Sequence, residues 1–129
     1  MPLEISQSTH PITTWDGSAL LLMNDQRFPW FMIVPMIPKA REWTDLNLAQ
    51  QHQALIHINK AYDLMNRFFK PEKINLGILG NIVPQLHIHI VGRHQKDVAW
   101  PGPVWGFGSP EPYDHEEKEA LIMQLRKVA

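Results

Sequence analysis

The chain has 129 residues, a hydrophobic fraction of 44% that suffices for one core, and a formal net charge of −1. It contains no basic block, which argues against duplex nucleic acid or an anionic membrane as a partner. It also contains no cysteine, which excludes disulfides, thiol nucleophiles and thiolate metal sites. We therefore expect a single domain over residues 1–129.

Two further features bear on where the protein resides. Residues 1–10 lack the positive start and the apolar stretch of a signal peptide. The longest apolar runs are far shorter than the roughly 20 residues that cross a bilayer. These features predict a cytoplasmic protein with no membrane partner.

Three strands are predicted first, arranged as an antiparallel meander. Residues 12–15 and 18–23 flank Asp16-Gly17, a hairpin turn signal because glycine tolerates positive φ. A polar turn over 24–27 then leads into an apolar strand over 28–36. Proline has no N–H to donate, so the prolines near its end predict that this strand frays there.

One long helix follows, with Thr44 or Asp45 as its predicted cap and Pro71 as its end. Its apolar positions recur at steps of three and four and should pack on the sheet: Leu48, His52, Leu55, Ile58, Tyr62, Met65 and Phe69. Two more strands are predicted over 73–79 and 85–91.

The last part of the chain combines a loop and a helix. Residues 98–112 contain four prolines and three glycines, which predicts a fixed loop without regular structure. Asp114 and Glu117 predict a capping box for a helix over 115–128, with Leu121, Leu125 and Val128 on its inner side. Strands and helices in this order predict an α+β fold.

The segment 85–91, QLHIHIV, alternates polar and apolar residues. Because strand side chains alternate between faces, Gln85, His87 and His89 should share one face. Neighbours on one face lie roughly 6.5–7 Å apart, which suits the contacts of a phosphoryl group. Three nitrogen-bearing side chains on an otherwise buried strand need partners, and a bound anion is one.

Two other readings of the same residues remain open. His87 and His89 form a His-x-His pair that could ligate zinc if His10, His94, His115 or a carboxylate supplied a third ligand. Alternatively, they are core histidines with satisfied hydrogen bonds and no chemical role. The two remaining histidines, His52 and His57, lie on the helix and are interpreted as structural or solvated.

The stretch 75–93, NLGILGNIVPQLHIHIVGR, resembles the signature of the histidine triad (HIT) family, His-φ-His-φ-His-φ-φ with φ apolar. The spacing agrees at all seven positions and the residue type at six, because Gln85 replaces the first histidine. The order of elements also agrees, so the resemblance covers about residues 10–107, followed by the C-terminal helix at about 114–128. It implies a five-stranded antiparallel sheet with helices, assembled as a homodimer.

The resemblance also implies a reaction that needs no cofactor. His87 matches the nucleophilic histidine, which attacks the α-phosphorus of a nucleotide, such as a dinucleoside polyphosphate or a nucleoside phosphoramidate, and is later released by water. His89 and Asn81 would hydrogen-bond the phosphate or the leaving group. Gln85 would orient its neighbours, since an amide both donates and accepts but carries no charge. The alternative is a nucleotide-binding module with weak or no turnover because of Gln85.

The nucleoside end of the site has weaker candidates. By the resemblance, Asn24 or Asp25 stands where the family binds ribose, although a plain solvated turn is the competing interpretation. Phe28 and Trp30 are candidates for the base pocket, although aromatic residues in apolar strands are often core. Trp105 lies with Trp100 on the proline-stiffened loop. Three interpretations are open for it: it forms a wall of the site, it contacts a second subunit, or it covers a small separate core.

Overall fold

The structure, a computed structural model, describes residues 1–129. Its elements in chain order are α1 (Leu3–Ser8), β1 (Thr9–Trp15), β2 (Ser18–Met23), β3 (Trp30–Pro35), a 3-10 turn (Trp43–Asp45), α2 (Leu48–Phe69), β4 (Lys73–Gly77), β5 (Ile88–Arg93) and α3 (His115–Val128). The sequence predicts no element in the segment that forms α1.

The five strands form one sheet in the order β1-β2-β3-β5-β4, and every neighbouring pair is antiparallel. This arrangement confirms the predicted α+β fold with a five-stranded antiparallel sheet. The register places His89 of β5 between Met32 of β3 and Gly77 of β4. His89 therefore lies in the interior of the sheet, with a strand on each side.

The two faces of the sheet are covered differently. One face packs against α2 and α3 and forms the main core, whose members from β5 are Ile88 and Ile90. The opposite face carries His89, Met32 and, on β2, Leu21. On that face α1 contributes a small apolar cluster through Ile5, and the loop after β5 contributes another through Val104. The alternation predicted for the histidine segment is thus present in β5.

The strand that carries the histidines begins at Ile88, three residues later than predicted. Its partner β3 ends at Pro35, which has no N–H to donate to a ladder. The N–H of Leu86 instead bonds to the carbonyl of Ala40, at 2.9 Å. Residues 85–87 therefore leave the sheet, and His87 lies just before the strand. The strands β3 and β4 are likewise shorter than predicted.

The long helix is present, but its cap and its buried side differ from the prediction. Asn47, not Thr44 or Asp45, caps the helix, and its side chain accepts from the N–H of Gln50 in a capping box. The buried positions are Ala54, His57, Ile58, Ala61, Leu64 and Met65. Leu48, His52 and Leu55 are exposed, because the small residues Ala54 and Ala61, which the pattern of large residues omitted, face the sheet.

The C-terminal helix α3 has the predicted bounds, and the side chain of Asp114 accepts from the N–H of Glu117 at 2.8 Å. Leu125 is buried as predicted, together with Ile122. Leu121 is half-buried, and the inner position predicted for Val128 is wrong because this side chain is exposed. None of the three helices has the length and hydropathy of a membrane span.

Candidate active site

His87 is held by the backbone two residues before it. Its Nδ1 lies 2.6 Å from the carbonyl oxygen of Gln85. A carbonyl oxygen only accepts, so Nδ1 donates and the lone pair is on Nε2. His87 is 8% exposed and lines a cavity of about 330 Å³. The local backbone therefore fixes this imidazole in the tautomer in which Nε2 is the free nucleophilic atom.

His89 is held in the opposite tautomer by a residue of the neighbouring strand. The indole N–H of Trp30 donates to Nδ1 of His89 at 3.0 Å. Since Nδ1 accepts, the proton of the neutral ring lies on Nε2. Burial, helped by repulsion from the neighbouring ring of His87 in its protonated form, lowers the pKa of His89 to about 4. His89 is therefore neutral at physiological pH and can donate one hydrogen bond from Nε2.

The side chain of Gln85 does not contact either histidine through a hydrogen bond. Its amide donates to the carbonyl of Pro35 at 3.2 Å and to that of Leu86 at 3.4 Å. What orients His87 is the main-chain carbonyl of Gln85, which any residue type at position 85 would supply. The orienting role expected for this position is thus filled by its backbone, and a catalytic role for the amide stays a prediction.

Trp105 forms one wall of the cavity over His87. Its ring lies 5.6 Å from that of His89 in an edge-on arrangement. The ring packs directly against Gly77 of β4. A Cβ added to Gly77 would lie only 2.8 Å from Cη2 of Trp105. Asn81 lines the same cavity from the loop between β4 and β5, and its contact with a phosphate stays a prediction. The sequence offers no signal for the contact between Gly77 and Trp105.

A second cavity of about 240 Å³ shares Gly106 with the first and is bordered by Trp30 and Asp25. Phe28, which was expected beside the base, is fully buried and lines neither cavity. Its ring packs edge-on against Trp30 at 6.4 Å and supports the site from within the core. Trp30 is therefore the one of these two aromatic residues that reaches the site.

Asn24 and Asp25, the candidate ribose contacts, hold the loop that follows Trp105. Asn24 accepts from the N–H of Tyr113, and Asp25 accepts from the N–H of Glu111. Asp25 is 1% exposed and forms a two-pronged ion pair with Arg27. Hydrogen bonds from Arg27 and the backbone lower the pKa of Asp25 in spite of its burial. Both residues thus have a structural role, and ribose binding by them stays a prediction.

Arg93, at the end of β5, ties the sheet to the start of the same loop. Its guanidinium donates two hydrogen bonds to Asp97 and one to Asn75 of β4, at 2.8–3.0 Å. These bonds from Arg93 are the main cause that lowers the pKa of Asp97 to about 2. This buried network is not predictable from the sequence, since nothing in the sequence distinguishes Arg93 from a surface arginine.

The histidines do not form a metal site, and one of them is structural. No group of three or more His, Cys, Asp or Glu side chains is arranged to hold a metal ion. The zinc interpretation therefore lacks its third ligand. His57, by contrast, fits the structural interpretation because it is buried, with Nδ1 2.9 Å from the hydroxyl of Ser18 and Nε2 3.0 Å from Gln53.

Comparison with known proteins finds a matching family and similar folds. A family model described as the HIT domain matches residues 6–96. The chain is similar to a histidine triad protein of Bradyrhizobium japonicum, with 36% identity, a TM-score of 0.95 and coverage of 99% of this chain and 96% of that one. A histidine triad protein of Marinobacter aquaeolei VT8 has 35% identity, a TM-score of 0.94 and coverage of 100% and 97%.

A more distant likeness extends to the NitFhit protein of C. elegans, with 16% identity, a TM-score of 0.69 and coverage of 93% of this chain and 27% of that one. At this identity the likeness concerns the fold alone. Comparison with curated proteins gives no match.

The chain belongs to the HIT domain family, since the family model covers more than half of it and the similar structures span nearly its whole length. Proteins of this family bind nucleotides and are generally nucleotide hydrolases or transferases. Membership therefore indicates a nucleotide-binding or nucleotide-hydrolysing function for this chain.

Proposed function

We propose that the protein hydrolyses nucleotides at the α-phosphate through a covalent nucleotidyl intermediate on His87. The substrates in this proposal are dinucleoside polyphosphates or nucleoside phosphoramidates. The observation that carries it is the hydrogen bond from Nδ1 of His87 to the carbonyl of Gln85, which leaves Nε2 with the lone pair in a residue that lines a cavity. An uncharged, oriented imidazole is the form of histidine that acts as a nucleophile.

In the first step Nε2 of His87 forms a bond to the α-phosphorus. The bond from phosphorus to the leaving phosphate or amine breaks, and the leaving group takes the electron pair and, where it is an amine, a proton from the solvent. In the second step the oxygen of a water molecule bonds to the same phosphorus, the bond from phosphorus to Nε2 breaks with its electron pair returning to Nε2, and the water gives a proton to the solvent. The nucleoside monophosphate is released and His87 is restored. Dividing one difficult displacement into two easier ones is the gain from covalent catalysis.

His89 and Asn81 are assigned to the phosphoryl oxygens. His89 offers the N–H at Nε2, because Nδ1 is occupied by Trp30. Its ring centroid is 5.0 Å from that of His87, which brings the donor within reach of a group bonded to its neighbour. Asn81 lines the cavity over His87. Donors fixed around a phosphoryl group stabilise the charge that develops during transfer.

The nucleoside is assigned to the second cavity, bordered by Trp30, Met23 and Phe107. We also infer a cytoplasmic homodimer, which rests on the composition and on the family resemblance. Leu55 and Ile56 on α2 and Leu76 on β4 are exposed apolar side chains available to such an interface. Light scattering coupled to size-exclusion chromatography tests the dimer, and a monomer at micromolar concentration would contradict it.

The proposal is tested by incubating the protein with adenosine and guanosine phosphoramidates and with diadenosine polyphosphates. Intact-protein mass spectrometry at neutral pH should detect one added nucleoside monophosphate, and peptide mapping should place it on His87. His87→Gln should form no adduct and lose several orders of magnitude in rate. His52→Gln, at an exposed position on α2, is the matched histidine control and should behave like the parent chain.

Two results would contradict the proposal. Turnover by His87→Gln equal to that of the parent would show that another group attacks. Tight nucleotide binding without adduct or turnover, for every nucleotide in the panel, would instead favour the binding-module interpretation.

A further inference from the structure

Trp30 contacts His89, one of the two histidines of the candidate active site, through a single hydrogen bond. Its Nε1 lies 3.0 Å from Nδ1 of His89, and the two residues are 6% and 5% exposed. They meet because β3 and β5 are neighbours, although the residues are 59 positions apart in sequence. Since an indole N–H only donates, this contact decides which nitrogen of His89 carries the proton.

The choice of tautomer matters for a phosphoryl group bound beside His89. With the proton on Nε2, His89 donates to a phosphate oxygen. With the proton on Nδ1, the same ring would present a lone pair to that oxygen, which is repulsive. A site that relies on His89 as a donor therefore needs something that keeps its proton off Nδ1.

We propose that Trp30 is a positioning residue for the reaction, whose indole N–H holds His89 as a neutral donor that acts through Nε2. The inference rests on the proposed function, because the phosphoryl group that His89 contacts is the one transferred to His87. Trp30 thus acts on the reaction through His89, a role separate from forming a wall of the nucleoside cavity.

Few other groups near His89 could determine whether its imidazole is protonated. His87 is the titratable neighbour, and its protonated form would oppose protonation of His89. The other elements packed around His89 contribute side chains that do not titrate near neutral pH: Trp30 and Met32 on β3, Gly77 on β4, and Trp105 on the loop. Protonation would also place an N–H of His89 against the N–H of Trp30, so the hydrogen bond and burial favour the same neutral form.

Trp105 provides a control within the same site. Its ring lies 5.6 Å from that of His89, almost the same distance as the 5.7 Å of Trp30, and both arrangements are edge-on. The Nε1 of Trp105 is buried without a hydrogen-bond partner. Replacing either tryptophan by phenylalanine therefore exchanges an indole next to His89 for a smaller ring at a comparable distance, but only Trp30→Phe removes a hydrogen bond to His89.

The first test uses the parent chain labelled with ¹⁵N. Long-range ¹H–¹⁵N spectra should report the Nε2–H tautomer for His89, and a nitrogen–nitrogen coupling should appear between Nε1 of Trp30 and Nδ1 of His89. This measurement needs no variant, so it decides the contact even if Trp30→Phe fails to fold. A proton found on Nδ1 of His89 would overturn the inference.

The second test compares the variants. Trp30→Phe should populate the Nδ1–H tautomer of His89 and raise its titration midpoint by roughly one pH unit, the equivalent of one neutral hydrogen bond. Trp105→Phe should leave the tautomer as in the parent chain. Equal His89 spectra in the parent and Trp30→Phe would overturn the inference and leave Trp30 a packing residue.

The third test connects the contact to turnover. In the parent chain His89 should not titrate between pH 5 and 8, so its ionisation should be absent from the pH profile of kcat. In Trp30→Phe the ionisation of His89, raised by roughly one pH unit to near pH 5, should enter the acid limb of that profile. An unchanged profile in a variant whose His89 does titrate would overturn the positioning role. Absence of hydrolysis in the parent chain would defeat the proposed function alone, because the spectra test the tautomer independently.

Discussion

His87 and His89 have ring centroids 5.0 Å apart, yet their hydrogen bonds require opposite tautomers. His87 donates from Nδ1 to a backbone carbonyl, whereas His89 accepts at Nδ1 from Trp30. One ring is left with a lone pair on Nε2 and the other with a proton there. Two residues of the same type thereby acquire complementary chemical roles from their partners.

The neutral state of His89 predicts that acid destabilises the protein. The pKa of His89 is about 4 in the folded chain, against about 6.5 for an ordinary histidine. Between these values the unfolded chain binds the extra proton, so the free energy of unfolding falls as pH drops from about 6.5 to 4. The expected loss from this residue is about 3 kcal/mol.

Urea unfolding at a series of pH values measures this loss. His89→Gln should flatten the dependence over that range, whereas His52→Gln should leave it as in the parent chain. The same slope in His89→Gln and in the parent would show that another group causes the acid sensitivity.

Two ion pairs of the chain offer a matched comparison of burial. Arg93–Asp97 and Arg67–Asp63 both join Nε to Oδ2 at 2.8 Å across four residues, but the side chains are 2% and 8% exposed in the first pair and 52% and 64% in the second. Arg93→Met leaves a buried carboxylate without its partner and should cost about 3–5 kcal/mol of unfolding free energy. Arg67→Met should cost no more than about 1 kcal/mol.

Thermal and urea unfolding of both variants test this prediction. Equal losses of unfolding free energy in the two variants would show that burial does not decide how much an ion pair contributes to stability. A double variant, Arg93→Met with Asp97→Asn, should recover part of the loss, because it removes the unpaired charge and keeps an acceptor for the backbone N–H groups of His94, Ala99 and Trp100.

Gly77→Ala tests whether the Trp105 ring, which forms a wall of the cavity, needs a glycine beneath it. The added Cβ would lie 2.8 Å and 3.0 Å from two atoms of the Trp105 ring, so the indole must move. We expect a loss of about 1–3 kcal/mol in stability and a higher KM with a smaller change in kcat. In the background of Trp105→Leu the same substitution should cost much less. If Gly77→Ala costs the same stability in both backgrounds, the added methyl group clashes with a group other than Trp105.

Substitutions at Gln85 test whether its amide has a catalytic role. Gln85→Leu removes the hydrogen bonds to Pro35 and Leu86 and should cost about 1 kcal/mol of stability. The rate should fall far less than in His87→Gln, because the carbonyl that orients His87 remains. Gln85→His should keep or raise activity, since both side chains form hydrogen bonds. A leucine variant as slow as His87→Gln would show that the amide itself is required.

Much of the fold follows from local patterns. The hairpin around Asp16-Gly17, the bounds of α3 and the alternation of histidine with isoleucine are properties of a few adjacent residues, and the structure bears them out. The predictions from sequence are wrong where a local pattern competes with a contact between residues that are distant in sequence. The start of β5 is one example, because Pro35 of another strand ends the ladder that would have included Gln85.

The sequence by itself determined the chemistry available on one face of a strand, because side-chain alternation is a property of extended backbone alone. The tertiary structure decided which nitrogen of His89 carries the proton, since its partner Trp30 lies 59 residues away on β3, whereas His87 is oriented by a carbonyl only two residues before it. It also turned Asn24 and Asp25 into supports for a loop 86–89 residues distant. Such partners depend on strand register and loop closure, which are set by the sum of many weak contacts across the whole chain.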